Sequence, residues 1–193
     1  MPTPTILQVR RVARERVDAI LIPDEFLMPV VPFETLPDSS RVWVFGSDAP
    51  LSEAGTTALL DGVDAYLADW KAHGAPLTVA REWRDGRFLV VGVDQSAAGA
   101  TGCSIDGLFR VLQGLEGVAG ASLVGGGRVF YRDDQAVAKS VTRSEVASLA
   151  ANGTISRDTV VFDTGLTDLG TFRARFERRA KDTWVREMLA SQE

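Results

Sequence analysis

Residues 76–94 read Pro76-Leu77-Thr78-Val79-Ala80-Arg81-Glu82-Trp83-Arg84-Asp85-Gly86-Arg87-Phe88-Leu89-Val90-Val91-Gly92-Val93-Asp94, and their reading decides the fold. Asp85-Gly86 between two runs rich in β-branched and aromatic residues is a strong hairpin signal, since both residues tolerate the positive φ of a tight turn. Residues 76–83 and 87–94 are therefore expected to be paired strands.

Downstream the chain continues Gln95-Ser96-Ala97-Ala98-Gly99-Ala100-Thr101-Gly102-Cys103-Ser104-Ile105-Asp106-Gly107, and Ile105, Leu108, Leu112 and Leu115 then recur at helical spacing. A Gly/Ser/Thr-rich loop thus joins a buried strand to a helix. Upstream, Val42-Trp43-Val44-Phe45 predicts a strand and Ser52 an N-cap with Glu53 in the first turn. Leu59, Val63, Tyr66, Leu67 and Trp70 give the following helix its apolar face, and His73-Gly74 reads as its C-terminal signature. With Arg128-Val129-Phe130-Tyr131 as a last strand, the order is β-α-β-β-α-β. The expected class is α+β with a ferredoxin-like core over residues 41–132, in which strands 42–45 and 88–93 are parallel central neighbours. Both of those strands are apolar on both faces, so the sheet needs a second cover. The C-terminal third, the N-terminal helix and a second copy of the chain are the candidates.

The flanks read differently. Ile6, Val9, Ala13, Val17 and Ile20, with Arg10, Arg11, Arg14 and Arg16 between them, predict an amphipathic helix over residues 6–21. Pro23, Pro29, Pro32 and Pro37 make residues 22–40 an extended connector, so the compact part is expected to begin near Arg41. Residues 133–193 form an α/β appendage: Thr142 to Glu145 has the form of a capping box, Asn152-Gly153 stops that helix, residues 159–162 are a strand and residues 168–191 a long terminal helix.

Composition excludes several classes. A net charge of −5 without a basic, aromatic-laced run argues against nucleic acid as a partner. No apolar run approaches the roughly 20 residues that span a bilayer. One Cys and one His cannot form a structural zinc site, and a single thiol makes no internal disulfide, so the expectation is a reducing cytoplasm and no cofactor.

If strands 42–45 and 88–93 run parallel, loops 46–51 and 94–104 converge beside two helix N-termini, which favours a small anionic ligand. The expected binding residues are Ser47, Asp94, Thr101, Gly102, Cys103, Ser104 and Asp106. In the same topology His73 and Cys103 lie at opposite ends of a helix roughly 30 Å long, too far apart for a catalytic dyad.

Two resemblances accompany these residues. The pattern T-x-x-E-V-x-x-L-x-x-x-G-x-I-x-x-D-T-x-V-F over residues 142–162 is similar to small bacterial modules of the GYF type, which implies peptide binding, although the preceding Gly-Pro is missing. More broadly, Trp70-Lys71-Ala72-His73-Gly74, Val93-Asp94, Thr101-Gly102-Cys103-Ser104-Ile105-Asp106, Gly153-Thr154-Ile155, Asp158-Thr159-Val160-Val161-Phe162 and Thr183-Trp184 resemble a group of small bacterial proteins that often carry the name ABC transporter ATPase. The chain departs from that group at Gln95, at Val185 and in its N-terminal extension. No G-x-x-x-x-G-K-[ST] loop is present, so ATP hydrolysis is not expected. The expected function is a non-catalytic ligand-binding or regulatory module. The alternatives are an interaction or assembly protein, acting on a protein partner or as a homodimer, and a thiol enzyme using Cys103.

Overall fold

A computed structural model describes residues 30–96 and 99–189; the helix expected over residues 6–21 lies outside them. The α+β class holds. The first unit runs β1 (Arg41–Gly46), α1 (Glu53–Ala68), a two-residue hairpin of β2 (Lys71–Ala72) and β3 (Ala75–Pro76), β4 (Thr78–Arg84), β5 (Phe88–Asp94) and α2 (Gly102–Ala119). The hairpin of the opening stretch is present. Asp85 and Gly86 have φ of 52° and 62°, and the Arg87 amide donates to the Arg84 carbonyl at 2.9 Å.

The sheet has the order β1-β5-β4 and is antiparallel throughout. This corrects the expectation that the first and third long strands run parallel. The α1 crossover brings β4 back in the direction of β1, and the tight turn then reverses β5, so β5 must oppose β1 when it inserts between them. Both helices lie on one face, where Leu59, Val63 and Leu67 of α1 and Leu108 and Leu112 of α2 pack on Phe45, Leu89, Val91 and Val93.

The full ferredoxin-like sheet does not form. Its expected fourth strand, β6 (Arg128–Arg132), joins a second antiparallel sheet of order β7-β6-β8-β9, with β7 (Ala138–Thr142), β8 (Val160–Phe162) and β9 (Glu177–Arg179). Alternation explains the choice. Phe130 and Phe162 point to the first sheet, while Val129, Tyr131 and Val161 point outward to α3 (Arg143–Ala151) and α5 (Arg186–Leu189). The C-terminal third is thus the main cover of the apolar second face, and the layers run helices, sheet, sheet, helices.

Between the sheets sits an aromatic cluster. The Phe88 ring lies 5.2, 4.7 and 5.1 Å from those of Phe130, Phe162 and Phe176, and the side chain is fully buried. Removing such a ring costs about 3–5 kcal/mol. Residues before Arg41 also contribute: Leu36 is buried in this core, and Phe33 meets Phe172 edge-on at 6.3 Å. The packed structure therefore begins by Val30, which bridges Val79 on the outer edge of β4.

Two further expectations change. The long terminal helix breaks into α4 (Leu169–Arg175), β9, a 3-10 turn and α5. Phe172 and Phe176 keep helical spacing, but the free edge of β8 takes the next three residues as a strand. His73-Gly74 is the turn of the β2-β3 hairpin, with φ of 52° and 83°, and does not cap α1.

Candidate functional site

The expected anion site does not assemble. Because β1 and β5 are antiparallel, Ser47 lies beside Arg87 at the start of β5, whereas Asp94 ends that strand opposite Thr78, one residue past the Val93–Arg41 pair. Seven residues of strand separate them by roughly 23 Å. Ser47 is also fully buried, so it faces no solvent ligand.

The other residues stay together, but their polar groups are mostly occupied. Thr101 is the N-cap of α2: its amide donates to Ser104 Oγ at 2.8 Å and its Oγ1 accepts from the Ser104 amide at 3.4 Å. The Ser104 carbonyl accepts from Tyr66 Oη at 2.8 Å and Trp70 Nε1 at 3.0 Å, which ties the start of α2 to the end of α1. Burial pushes the Tyr66 phenol above its ordinary value against the opposing charge of Arg110. Asp94 closes an Asx turn on the Ser96 amide, and Gly102, Cys103 and Asp106 are exposed. This loop is chiefly a helix cap.

His73 and Cys103 do not lie at opposite ends. Both line one shallow depression with Lys71, Thr101 and Gly102. The antiparallel sheet places the end of α1 beside the start of α2, which reverses the expected separation. Among the described residues no group of three His, Cys, Asp or Glu side chains is placed to hold a metal ion.

A different site follows from the strand that β1 lacks. With β6 in the second sheet, β1 is an edge among the described strands. The Val42 amide points away from β5 and donates to the Thr167 carbonyl at 3.0 Å, and the Leu169 amide donates to the Ser40 carbonyl at 2.9 Å. Strand alternation then aims the amide and carbonyl of Val44 outward as well, while Gly46 beyond it is buried against the Phe130 ring. These groups have no backbone partner among the described residues.

They open onto a groove of about 280 Å³. Residues 123–127 and Arg128 form one wall and residues 164–167 the other, with Phe109 at the helix side. Gly46 lets the sheets approach here: a Cβ on it would lie 2.4–2.8 Å from the Phe130 ring. Phe45 and Phe109 meet edge-to-face at 5.2 Å and give the groove an apolar floor.

Glu116 shapes the first wall. Its carboxylate accepts from the Leu123 amide at 2.7 Å, the Val124 amide at 2.9 Å and Ser122 Oγ at 2.9 Å. Burial works against its charge, but these donors more than offset that, and the group titrates below the usual carboxylate range. The amides of Gly125, Gly126 and Gly127 make no backbone hydrogen bond to the described residues, and all three glycines are exposed.

At the Gly46 end the guanidinium of Arg87 is buried between the sheets. It donates from Nη1 to the Ser47 carbonyl at 2.8 Å and from Nε to the Ala138 carbonyl at 2.9 Å. Burial and the nearby Arg128 lower its pKa, with Asp48 opposing.

Sequence reading missed this groove because it is defined by an absent neighbour. The available signals were the two-faced apolar pattern of residues 42–45 and the Gly125-Gly126-Gly127 run. Comparison with known protein families, with curated proteins and with solved structures finds no match for this chain.

Proposed function

We propose that the protein is an interaction module that accepts an extended segment of a partner protein as an added strand along β1. The outward main-chain groups of Val44, opening onto a walled groove, carry this reading. In strand addition the main chain supplies affinity, and pockets for alternate side chains supply specificity. The groove offers such a pocket over Phe45 and Phe109. Its two walls admit one strand and hinder the flat approach of a second sheet, which favours a peptide over an edge-to-edge homodimer. The expected anion-binding module loses its support because its two loops lie at opposite ends of the sheet.

The test is selection of random extended peptides on the full chain, followed by binding to Val44→Pro. Proline removes only the outward amide and leaves the β1-β5 ladder its bonds. Selected peptides are expected to bind the variant at least tenfold more weakly while its circular dichroism stays that of the wild type. Peptides that bind both proteins equally, or no enrichment at all, would contradict the reading.

A further inference from the structure

We infer that the strand completing β1 is acidic: an extended partner segment with an Asp or Glu side chain facing Arg128 and the amides of Gly125, Gly126 and Gly127. The inference rests on the peptide-binding reading and adds the partner's chemistry to it.

Arg128 lines the groove, and its guanidinium donates to Ser140 Oγ and, at 3.4 Å, to the Ser140 carbonyl, both neutral acceptors. Arg87 lies behind it, close enough for the two charges to repel, and is likewise held by neutral carbonyls. The acidic groups nearest them, Asp48 beside Arg87 and Glu145 beside Arg128, attract them from a distance without forming an ion pair, and each carboxylate is anchored by its own hydrogen bonds. Asp48 accepts from the Ser122 amide, and Glu145 accepts from the amide and hydroxyl of Thr142 in the cap of α3. Two guanidiniums therefore stand at the Gly46 end without an ion-pair partner among the described residues.

The adjoining loop already shows the matching chemistry. Its first half binds the Glu116 carboxylate through two amides and a hydroxyl. Its second half presents three further amides without such an acceptor. A carboxylate arriving there gains charge-assisted hydrogen bonds from amides and a guanidinium together.

The experiment uses peptides selected on the full chain from a library displayed internally, synthesised with both ends blocked, and measured by fluorescence anisotropy. The selected sequences are expected to share an acidic residue at one position. Changing it to its amide, or making Arg128→Gln, should each weaken binding about tenfold, and the two together little more than either alone. Arg128→Lys keeps the charge and should bind within about threefold of wild type, which separates lost charge from damaged fold. Peptides that lose binding on Val44→Pro but show no acidic position, or whose acid matters equally in Arg128→Gln, would overturn this inference and leave the peptide-binding reading standing. A library with free C-termini that enriches where the internal one does not would also overturn it, since the carboxylate would then be the chain end. No enrichment from either library would sink both.

Discussion

The Val42 amide meets the Thr167 carbonyl at 3.0 Å on the side of β1 that faces away from β5. That bond, with its companion from Leu169 to Ser40, covers the first end of the edge, and two residues further on the strand opens into the groove. A one-residue shift of β1 would turn the outward amide of Val44 toward β5 and present those of Trp43 and Phe45 at the edge in its place.

Gly46 packs directly against the Phe130 ring of the second sheet. Gly46→Ala would press a methyl group onto the Phe130 ring, with contacts of 2.4–2.8 Å before relaxation. Overpacking of this kind costs about 1–3 kcal/mol. Urea unfolding is expected to show that loss, and an unchanged midpoint would mean that the sheets are not pressed together here.

Arg87 ties the first unit to the second sheet through the carbonyls of Ser47 and Ala138. Arg87→Ala leaves both buried acceptors without their donor, and the expected loss is roughly 2–5 kcal/mol. Arg87→Lys keeps the charge but not the fork, so it should recover only part of the loss in chemical denaturation.

Glu116 gives the groove wall a pH dependence. Its folded pKa lies below the unfolded value, so its contribution is fully present above the ordinary glutamate pKa of about 4.3 and is lost as pH falls through the folded value. Glu116→Gln should therefore be less stable than wild type at pH 7. The gap should narrow below about pH 4 and close in stronger acid. A gap independent of pH in a urea titration series would show that the charge plays no part.

The corrected sheet also makes a proximity claim. His73→Cys should cross-link to Cys103 with a short bis-maleimide, because both positions line one depression. Ala49→Cys, which follows β1 at the other end of the sheet, should not. Cross-linking of the Ala49 variant alone, read by mobility on a denaturing gel, would restore the parallel arrangement.

Much of the local structure was legible in the chain. Asp85-Gly86 announces its turn, Ser52 caps α1, and Thr142 with Glu145 forms the capping box at α3. These signals act over a few residues and hold whatever the tertiary context. Pairing was less legible. Val129-Phe130-Tyr131 is apolar on both faces and would satisfy either sheet, so only the aromatic cluster around Phe88 assigns it to the second. Phe172, Phe176 and Ala180 keep a four-residue spacing that reads as one long helix, yet the unpaired edge of β8 takes Glu177–Arg179 as a strand. His73-Gly74 suits a helix end and a tight hairpin equally well. The candidate groove was the least legible feature, since the departure of β6 creates it and the two-faced apolar pattern of β1 does not say which neighbour is missing.

Amide hydrogen exchange along β1 distinguishes an open edge from a covered one. Trp43 and Phe45 point their amides at β5, whereas Val44 points outward into the groove. In the free full-length protein the account predicts slow exchange at Trp43 and Phe45 and fast exchange at Val44, with Val44 slowing strongly when a selected peptide binds. Slow exchange at Val44 in the free protein, or no change on peptide binding, would contradict it.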